Sequence, residues 1–196
     1  MPKIVDHQEQ RLQLAATVAE VVAQIGLEHT TLRTVAAHHG CTKGMVQHYF
    51  SDKEALLLSA IHFVEQQSAL RVEAAAEGLS GLDHLHSRLL AQLPLTAALL
   101  NEWRVRLSFI TLASQVPAVQ SLLEQRQQLE QSQAMRALRQ AQRSGELRSG
   151  ITLLKVYRVL AAAIYGLAAI AVANGGQWSP MLQKQLLKSM IDDLRS

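Results

Sequence analysis

The chain has 196 residues, enough for one or two domains with a sizeable core. Hydrophobic residues make up 48% and aromatic residues only 4%, with Pro scarce and Ala, Leu and Gln abundant, a mix that favours helices over strands. The single cysteine, Cys41, excludes an intramolecular disulfide and fits a reducing cytoplasm, while the formal net charge of +3 is unevenly spread.

In chain order, residues 1–6 are expected to be frayed, and no charged-then-apolar leader is apparent before the first helix. That helix is predicted from His7 to Ile25, with Leu14, Val18, Val21, Val22 and Ile25 as one apolar stripe, and Gly26 ends it. Thr31 offers a side-chain oxygen ahead of Leu32, Val35 and Ala36, which recur at helical spacing, so it is a natural N-cap. Gly40 stops this helix by entering the left-handed region without a Cβ penalty. Thr42 then caps a helix from Lys43 to about Phe50, with Cys41 in the turn as either a packing residue or a redox switch. Ser51, followed three residues on by Glu54, predicts a capping box that opens a longer helix running to about Glu77. Helix, glycine-containing turn, helix is the grammar of a helix-turn-helix, whose second helix can enter a DNA major groove.

The two faces of the Lys43–Phe50 segment differ in chemistry. Val46 and Phe50 can pack on Val35 and Ala36, whereas Lys43, Gly44, Gln47 and His48 form a polar face with one small residue. Gln can address adenine, Lys can address guanine or phosphate, and Gly permits close approach to a duplex. Tyr49 and Lys53 stand where a hydroxyl and an ammonium can grip flanking phosphates. Spacing alone fits equally an ordinary helical hairpin with a solvated face.

Beyond the break at Gly78-Leu79-Ser80-Gly81, helices are predicted from Leu82 to Leu93, from Thr96 to Ser114, and from Pro117 to Arg143. A further helix spans Thr152 to Ala173 and stops at Asn174-Gly175-Gly176; Ser179 caps the last, with Pro180 at its first position. Val159 to Ala173 is continuously apolar but, at 15 residues, short of the ~20 that a membrane span needs, so it reads as a buried helix. Small residues along it (Ala161, Ala162, Gly166, Ala169, Ala173) admit a second helix backbone. With Leu186, Leu187 and Met190 they suggest half of a four-helix bundle, completed either by a two-fold partner or within the chain.

The segment Gly26 to Leu57 resembles the DNA-binding domain of TetR-family transcriptional regulators. The resemblance rests on Gly26, Thr31, Val35, Ala36, Gly40, Thr42, Gly44, His48-Tyr49-Phe50 and Asp52-Lys53-Glu54-Ala55-Leu56-Leu57, a pattern of 32 residues with fixed gaps. The run Gly-x-x-x-His-Tyr-Phe-x-Asp-Lys is closest to the BetI-like branch, and Gly145-Glu146-Leu147-Arg148 resembles the joint that many family members carry before their penultimate helix. Many members have an aromatic residue where this chain has Gln47, so base preference does not carry over. The resemblance implies an all-α protein of about nine helices. Residues 1–60 would form a three-helix DNA-binding domain and residues 61–196 a ligand-binding and dimerisation domain. DNA contacts are then assigned to Thr31, Arg33, Thr42, Lys43, Gly44, Gln47, His48, Tyr49 and Lys53. Dimerisation falls to the last two helices through Ala162, Gly166, Ala169, Leu186, Leu187 and Met190.

Residues 1–60 hold five basic side chains (Lys3, Arg11, Arg33, Lys43, Lys53) against six acidic ones (Asp6, Glu9, Glu20, Glu28, Asp52, Glu54), an unusual balance for a surface that must neutralise phosphates. Five histidines (His7, His29, His38, His39, His48) share the segment, so DNA affinity is expected to rise as pH falls from about 8 toward 6. In the rest of the chain, Phe63, Trp103, Arg106, Phe109, Ile110 and Tyr165 are candidates to line an effector cavity, or else simply to pack a helical core. Glu102 beside Trp103 offers charge and a ring face to a cation; the BetI-like resemblance admits choline or a related quaternary amine without fixing it.

Enzyme motifs are missing. Gly78-Leu79-Ser80-Gly81 lacks nucleophile-elbow spacing, and neither a phosphate loop nor a dinucleotide fingerprint occurs. His84 and His86 point to different helix faces, so no metal is expected, and the acidic residues read as scattered with no close pair. The reading is a cytoplasmic, cofactor-free repressor that binds a palindromic operator as a homodimer and responds to an unidentified small molecule. An activator, a constitutive architectural binder, or a ligand carrier with a vestigial head are the alternatives.

Overall fold

The computed structural model describes residues 7–196, so the expected fraying of residues 1–6 lies outside the described residues. Among the described residues there are nine α-helices: α1 (His7–His29), α2 (Leu32–His39), α3 (Lys43–Tyr49), α4 (Lys53–Ala76), α5 (Gly81–Leu90), α6 (Ala97–Ala113), α7 (Pro117–Arg143), α8 (Leu153–Ala173) and α9 (Pro180–Asp192). Gly26 leaves helical geometry within α1 at φ 80°, so the regular helix stops there and one irregular turn follows. Thr31 and Thr34 form a reciprocal cap on α2: Thr31 Oγ1 accepts from Thr34 N at 3.1 Å, and Thr34 Oγ1 accepts from Thr31 N at 2.8 Å. Gly40, at φ 75°, closes α2, and Thr42 Oγ1 accepts from Met45 N at 3.2 Å to open α3.

The start of α4 differs from the predicted Ser51–Glu54 box. Asp52 is the N-cap, its Oδ1 accepting from Ala55 N at 2.8 Å, while Ser51 Oγ donates to the other carboxylate oxygen at 2.9 Å. A charged cap suits the helix N-terminus better than a hydroxyl, because the dipole adds to the hydrogen bond.

Two cores follow. The first is built by Leu14, Val18 and Val22 of α1, Val35 of α2, Val46 of α3, Phe50, and Leu56, Ile61 and Val64 of α4. It continues into Val105 and Phe109 of α6 and Val119 of α7. Ile25, expected on the apolar stripe of α1, is instead 43% exposed, in the last regular turn before Gly26. The second core joins α5, α7, α8 and α9 through Leu82, Leu85, Leu138, Ile164, Leu187 and Ile191. α4 thus runs from the first core into the body.

The joint between α7 and α8 is pinned by Glu146. Its carboxylate accepts from Leu82 N at 2.8 Å and caps α5, where Ser80 makes no side-chain bond. Gly81 has φ +57°, and a Cβ there would fall 2.2 Å from Glu146 Oε1, so both conformation and space demand glycine. The chain then pairs with the C-terminus: Arg148 N donates to Leu194 O at 3.0 Å and Ser196 N to Glu146 O at 3.0 Å.

α8 is longer than its 15-residue apolar run. At 21 residues and a mean hydropathy of 1.9 it is long and apolar enough to cross a membrane by length and composition. One stripe (Tyr157, Leu160, Ile164, Leu167, Ala168, Ala171) is nevertheless buried in the second core, as a core helix requires.

Candidate functional site

The first feature is the outer face of α3. Val46 and Phe50 are 0% and 1% exposed against the first core, which fixes the opposite side outward. Lys43, Gly44, Gln47 and His48 are exposed, as are Thr31, Arg33 and Thr42 beside them; Tyr49 is half-buried. A Cβ at Gly44 would meet nothing nearer than Thr42 Oγ1 at 3.9 Å, leaving that stretch of backbone open to a flat surface. Lys53 is exposed, and its ammonium donates to Glu28 O at 2.9 Å, so it is held at the end of α1 beside α3. Cys41 is half-buried against the same core.

The histidines divide into two groups. His39 Nδ1 lies 2.8 Å from Thr17 Oγ1 and His38 Nε2 lies 3.3 Å from Glu20, so both are tied into the head itself. His48 remains on the outward face, its ring 6.1 Å from that of His7, whose Nδ1 sits 3.2 Å from the Tyr49 hydroxyl.

The second feature is a small cavity of about 30 Å³ between α5, α7 and α8, walled by Leu85, Arg88, Glu130, Tyr157, Ile164 and Tyr165. That is room for about two waters. Trp103 stands behind Tyr165 with ring centroids 5.1 Å apart, edge to face, and its indole N–H donates to Gln92 O at 2.6 Å. Arg106 lies over the Trp103 ring at 5.1 Å. Burial pushes the Glu130 carboxyl above the usual range, opposed by Arg126 and reinforced by Glu65. Burial, then Glu130 and Glu65, push the Tyr165 phenol up to about 12, although 41% of the residue's surface stays exposed.

Of the six residues expected to line a cavity, Tyr165 is in this wall, with Trp103 and Arg106 directly behind it, while Phe63 and Phe109 line two other clefts over the first core. Phe109 is completely buried in the first core, Phe63 packs beside that core, and Ile110 is 43% exposed, so none of the three reaches this space. Glu102 is engaged: its two oxygens accept from Arg71 Nη1 and Nη2 at 2.9 and 2.7 Å. The acidic residues are also less scattered than the sequence suggests. Glu65 of α4 and Glu130 of α7, far apart in sequence, both contact Arg126, at 3.1 and 2.9 Å. The available signal was Glu65 itself, one residue after Val64 and four after Ile61 on the buried side of α4.

The third feature is an apolar outer face on α8 and α9. Val159 is 58% exposed, Ile170 41% and Met181 68%. Ala162 is exposed and Gly166, Ala169, Leu186 and Met190 are half-buried along it. Leu187 departs from the expectation: it is 0% exposed, inside the second core, because its turn of α9 faces inward.

Residues 14–60 match the family model for bacterial regulatory proteins of the tetR family, and residues 81–196 match that for the C-terminal part of BetI-type transcriptional repressors. The HTH-type transcriptional regulator PksA of Bacillus subtilis is 29% identical over 114 residues, covering 58% of this chain and 56% of that protein. BetI of Paraburkholderia xenovorans is 38% identical over 64 residues, 33% of each chain. The matched stretch therefore spans between a third and about half the length of these curated relatives. Among solved structures, a transcriptional regulator from Saccharomonospora viridis in complex with choline superposes with a TM-score of 0.89 at 21% identity, over 96% of this chain and 99% of that one. A transcriptional regulator from Rhodococcus sp. superposes with a TM-score of 0.83 at 23% identity, over 94% and 95%.

Proposed function

The chain belongs to the TetR family of bacterial regulatory proteins, its C-terminal part of the BetI type, and from this premise we propose that it represses transcription as a homodimer on a palindromic operator and is released by a small organic cation. The observation that carries this reading is the course of α4. Its first half builds the core that orients α3, and its second half enters the charge cluster beside the cavity. A ligand in the body that shifts α4 therefore moves the DNA-reading face.

In this reading Lys43, Gln47 and His48 address the major groove, while Thr31, Arg33, Thr42, Tyr49 and Lys53 position the duplex. Two heads about one DNA turn apart would read both halves of a palindrome. The cation class rests on the cavity wall: Glu130 faces Tyr157 and Tyr165, with Trp103 behind, while the guanidinium of Arg88 in the same wall is paired with Glu73 at 2.9 Å. Carboxylate plus aromatic faces is the chemistry that holds alkylammonium groups. The choline complex of the Saccharomonospora regulator makes choline the first compound to test. The closed cavity, about 30 Å³, is smaller than such a cation, so binding requires α7 and α8 to part.

The test is a mobility shift on a palindromic promoter fragment with and without choline and other organic cations. Release by one of them supports the reading. A shift indifferent to every compound indicates a constitutive binder, and no shift at all indicates a ligand carrier. The same titration at fixed salt between pH 8 and 6 tests whether binding tightens on acidification.

A further inference from the structure

We propose that Glu65, Arg126 and Glu130 form a charge relay through which occupancy of the cavity sets the tilt of α4, Glu65 being the positioning residue on that helix; the inference rests on the cavity being the effector site.

Glu65 is the point where α4 meets both neighbouring helices. Its Oε1 accepts from Arg106 Nε of α6 at 2.7 Å, and its Oε2 lies 3.1 Å from Arg126 Nε of α7. Arg126 places Nη2 2.9 Å from Glu130 Oε1, and Glu130 lines the cavity. The Glu65 and Arg126 side chains are 11% and 12% exposed, so water screens these pairs little.

The relay is poised rather than locked. Arg126 Nε and Nη2 are buried and, despite their short distances to two carboxylates, form no well-directed hydrogen bond with either. One guanidinium is divided between two acids. Arg106 Nη2 is likewise buried without a hydrogen bond, 4.0 Å from Glu102 Oε2. Buried donors left in this state favour any rearrangement that completes them. A cation seated against Glu130 takes over as its counter-charge and frees Arg126 to engage Glu65 fully.

A contact that is fully made lies farther along α4. Arg71 forks onto Glu102 at 2.9 and 2.7 Å and donates from Nε to Ala91 O at 3.1 Å. This well-satisfied end serves as the pivot. Glu65 is six residues from Arg71 and Lys53 is eighteen, roughly 9 and 27 Å along a helix. A shift of ~1 Å at Glu65 thus becomes ~3 Å at the head end of α4.

The experiment measures operator affinity by fluorescence anisotropy and choline binding by calorimetry, on the full chain, for wild type, Glu65→Gln, Arg126→Met, Glu130→Gln and the Glu65→Gln/Glu130→Gln double variant. In wild type, choline should weaken operator binding by about 5- to 150-fold. Glu65→Gln should bind choline as wild type does and Arg126→Met more tightly, because Arg126 no longer competes for Glu130, but both should change operator affinity less than about twofold when choline is added. Two variants are used because either alone can fail to fold. Glu130→Gln should lose choline binding and, without any ligand, shift operator affinity toward the choline-bound value. The double variant should match Glu65→Gln alone. An undiminished choline response in either folded Glu65→Gln or Arg126→Met overturns the relay. Should choline not bind wild type, the cation reading fails, and the ligand-free cycle still decides: non-additive effects of Glu65→Gln and Glu130→Gln support the relay, and additive ones overturn it.

Discussion

At the scale of single residues, legibility tracked whether a side chain's role was set by local neighbours or by distant ones. Gln47 could be placed on the outward face of α3 because Val46 and Phe50, its own neighbours, go inward. Gln47→Ala should relax base discrimination at one position of each half-site, by about 1–3 kcal/mol, while Lys53→Ala weakens all duplexes alike; binding to a set of single-base operator variants separates the two. Equal loss of discrimination from both would sink the assignment. Glu130 was not legible, because its surroundings come from α5 and α8 and its cation also serves Glu65. Its chemistry gives a signed prediction. Burial raises its folded pKa above the unfolded value, so the native state favours the protonated form. That contribution is present below the ordinary carboxylate range and is lost as pH rises through the raised value. At pH 7 the buried charge is therefore a burden, and Glu130→Gln should melt at a higher temperature than wild type. The gap should narrow on acidification; a variant that melts lower at pH 7 would show that pairing with Arg126 outweighs burial.

At the scale of elements, the helix order followed from caps and breakers that lie close in sequence: Thr31, Gly40, Thr42, the Gly78–Gly81 break, Pro117, Ser179. Two features escaped. The cap of α4 shifted from Ser51 to Asp52, a one-residue choice between two adequate acceptors. The cap of α5 comes from Glu146, 64 residues away, which no local rule detects. Glu146 joins three parts of the body: it caps α5, accepts from Ser144 Oγ at 2.6 Å, and its carbonyl receives Ser196 N. Glu146→Ala should lower stability by about 1 kcal/mol for the lost cap, or roughly 2–4 °C in the melting midpoint of a chain this size. Gly81→Ala should cost more than that, since φ +57° and a 2.2 Å approach to the same carboxylate act together. Calorimetry on the two single variants and the double variant checks the shared cause: with Glu146 removed, Gly81→Ala should lose the clash and retain only the backbone strain.

At the scale of the whole molecule, in the homodimer proposed above, the outer face of α8 and α9 would decide how two heads come to act together. Exposed Val159, Ile170 and Met181 alternate with the small residues Ala162, Gly166 and Ala169, so a second helix pair can approach closely without displacing large side chains. Such a face wants cover, and a second copy of the same chain supplies a self-complementary one. Ala169→Arg puts a charge and a long side chain at a half-buried position on this face; it should leave the helical spectrum intact and give a monomer in sedimentation. In that proposed dimer, operator binding would depend on linkage of the heads, because each bound head raises the effective concentration of the other. The monomeric variant should therefore bind a palindrome about 10²–10⁴-fold more weakly than wild type. Its affinity for an isolated half-site should equal that of wild type heads measured there. Leu187→Ala provides the contrast. Leu187 lies on the inner side of α9 and is fully buried within the protomer, so its truncation should destabilise the fold by about 2–5 kcal/mol. At temperatures where the variant is still folded it should remain dimeric. If Ala169→Arg stays dimeric while Leu187→Ala dissociates, the interface lies elsewhere and α8 turns its small residues toward something other than its twin.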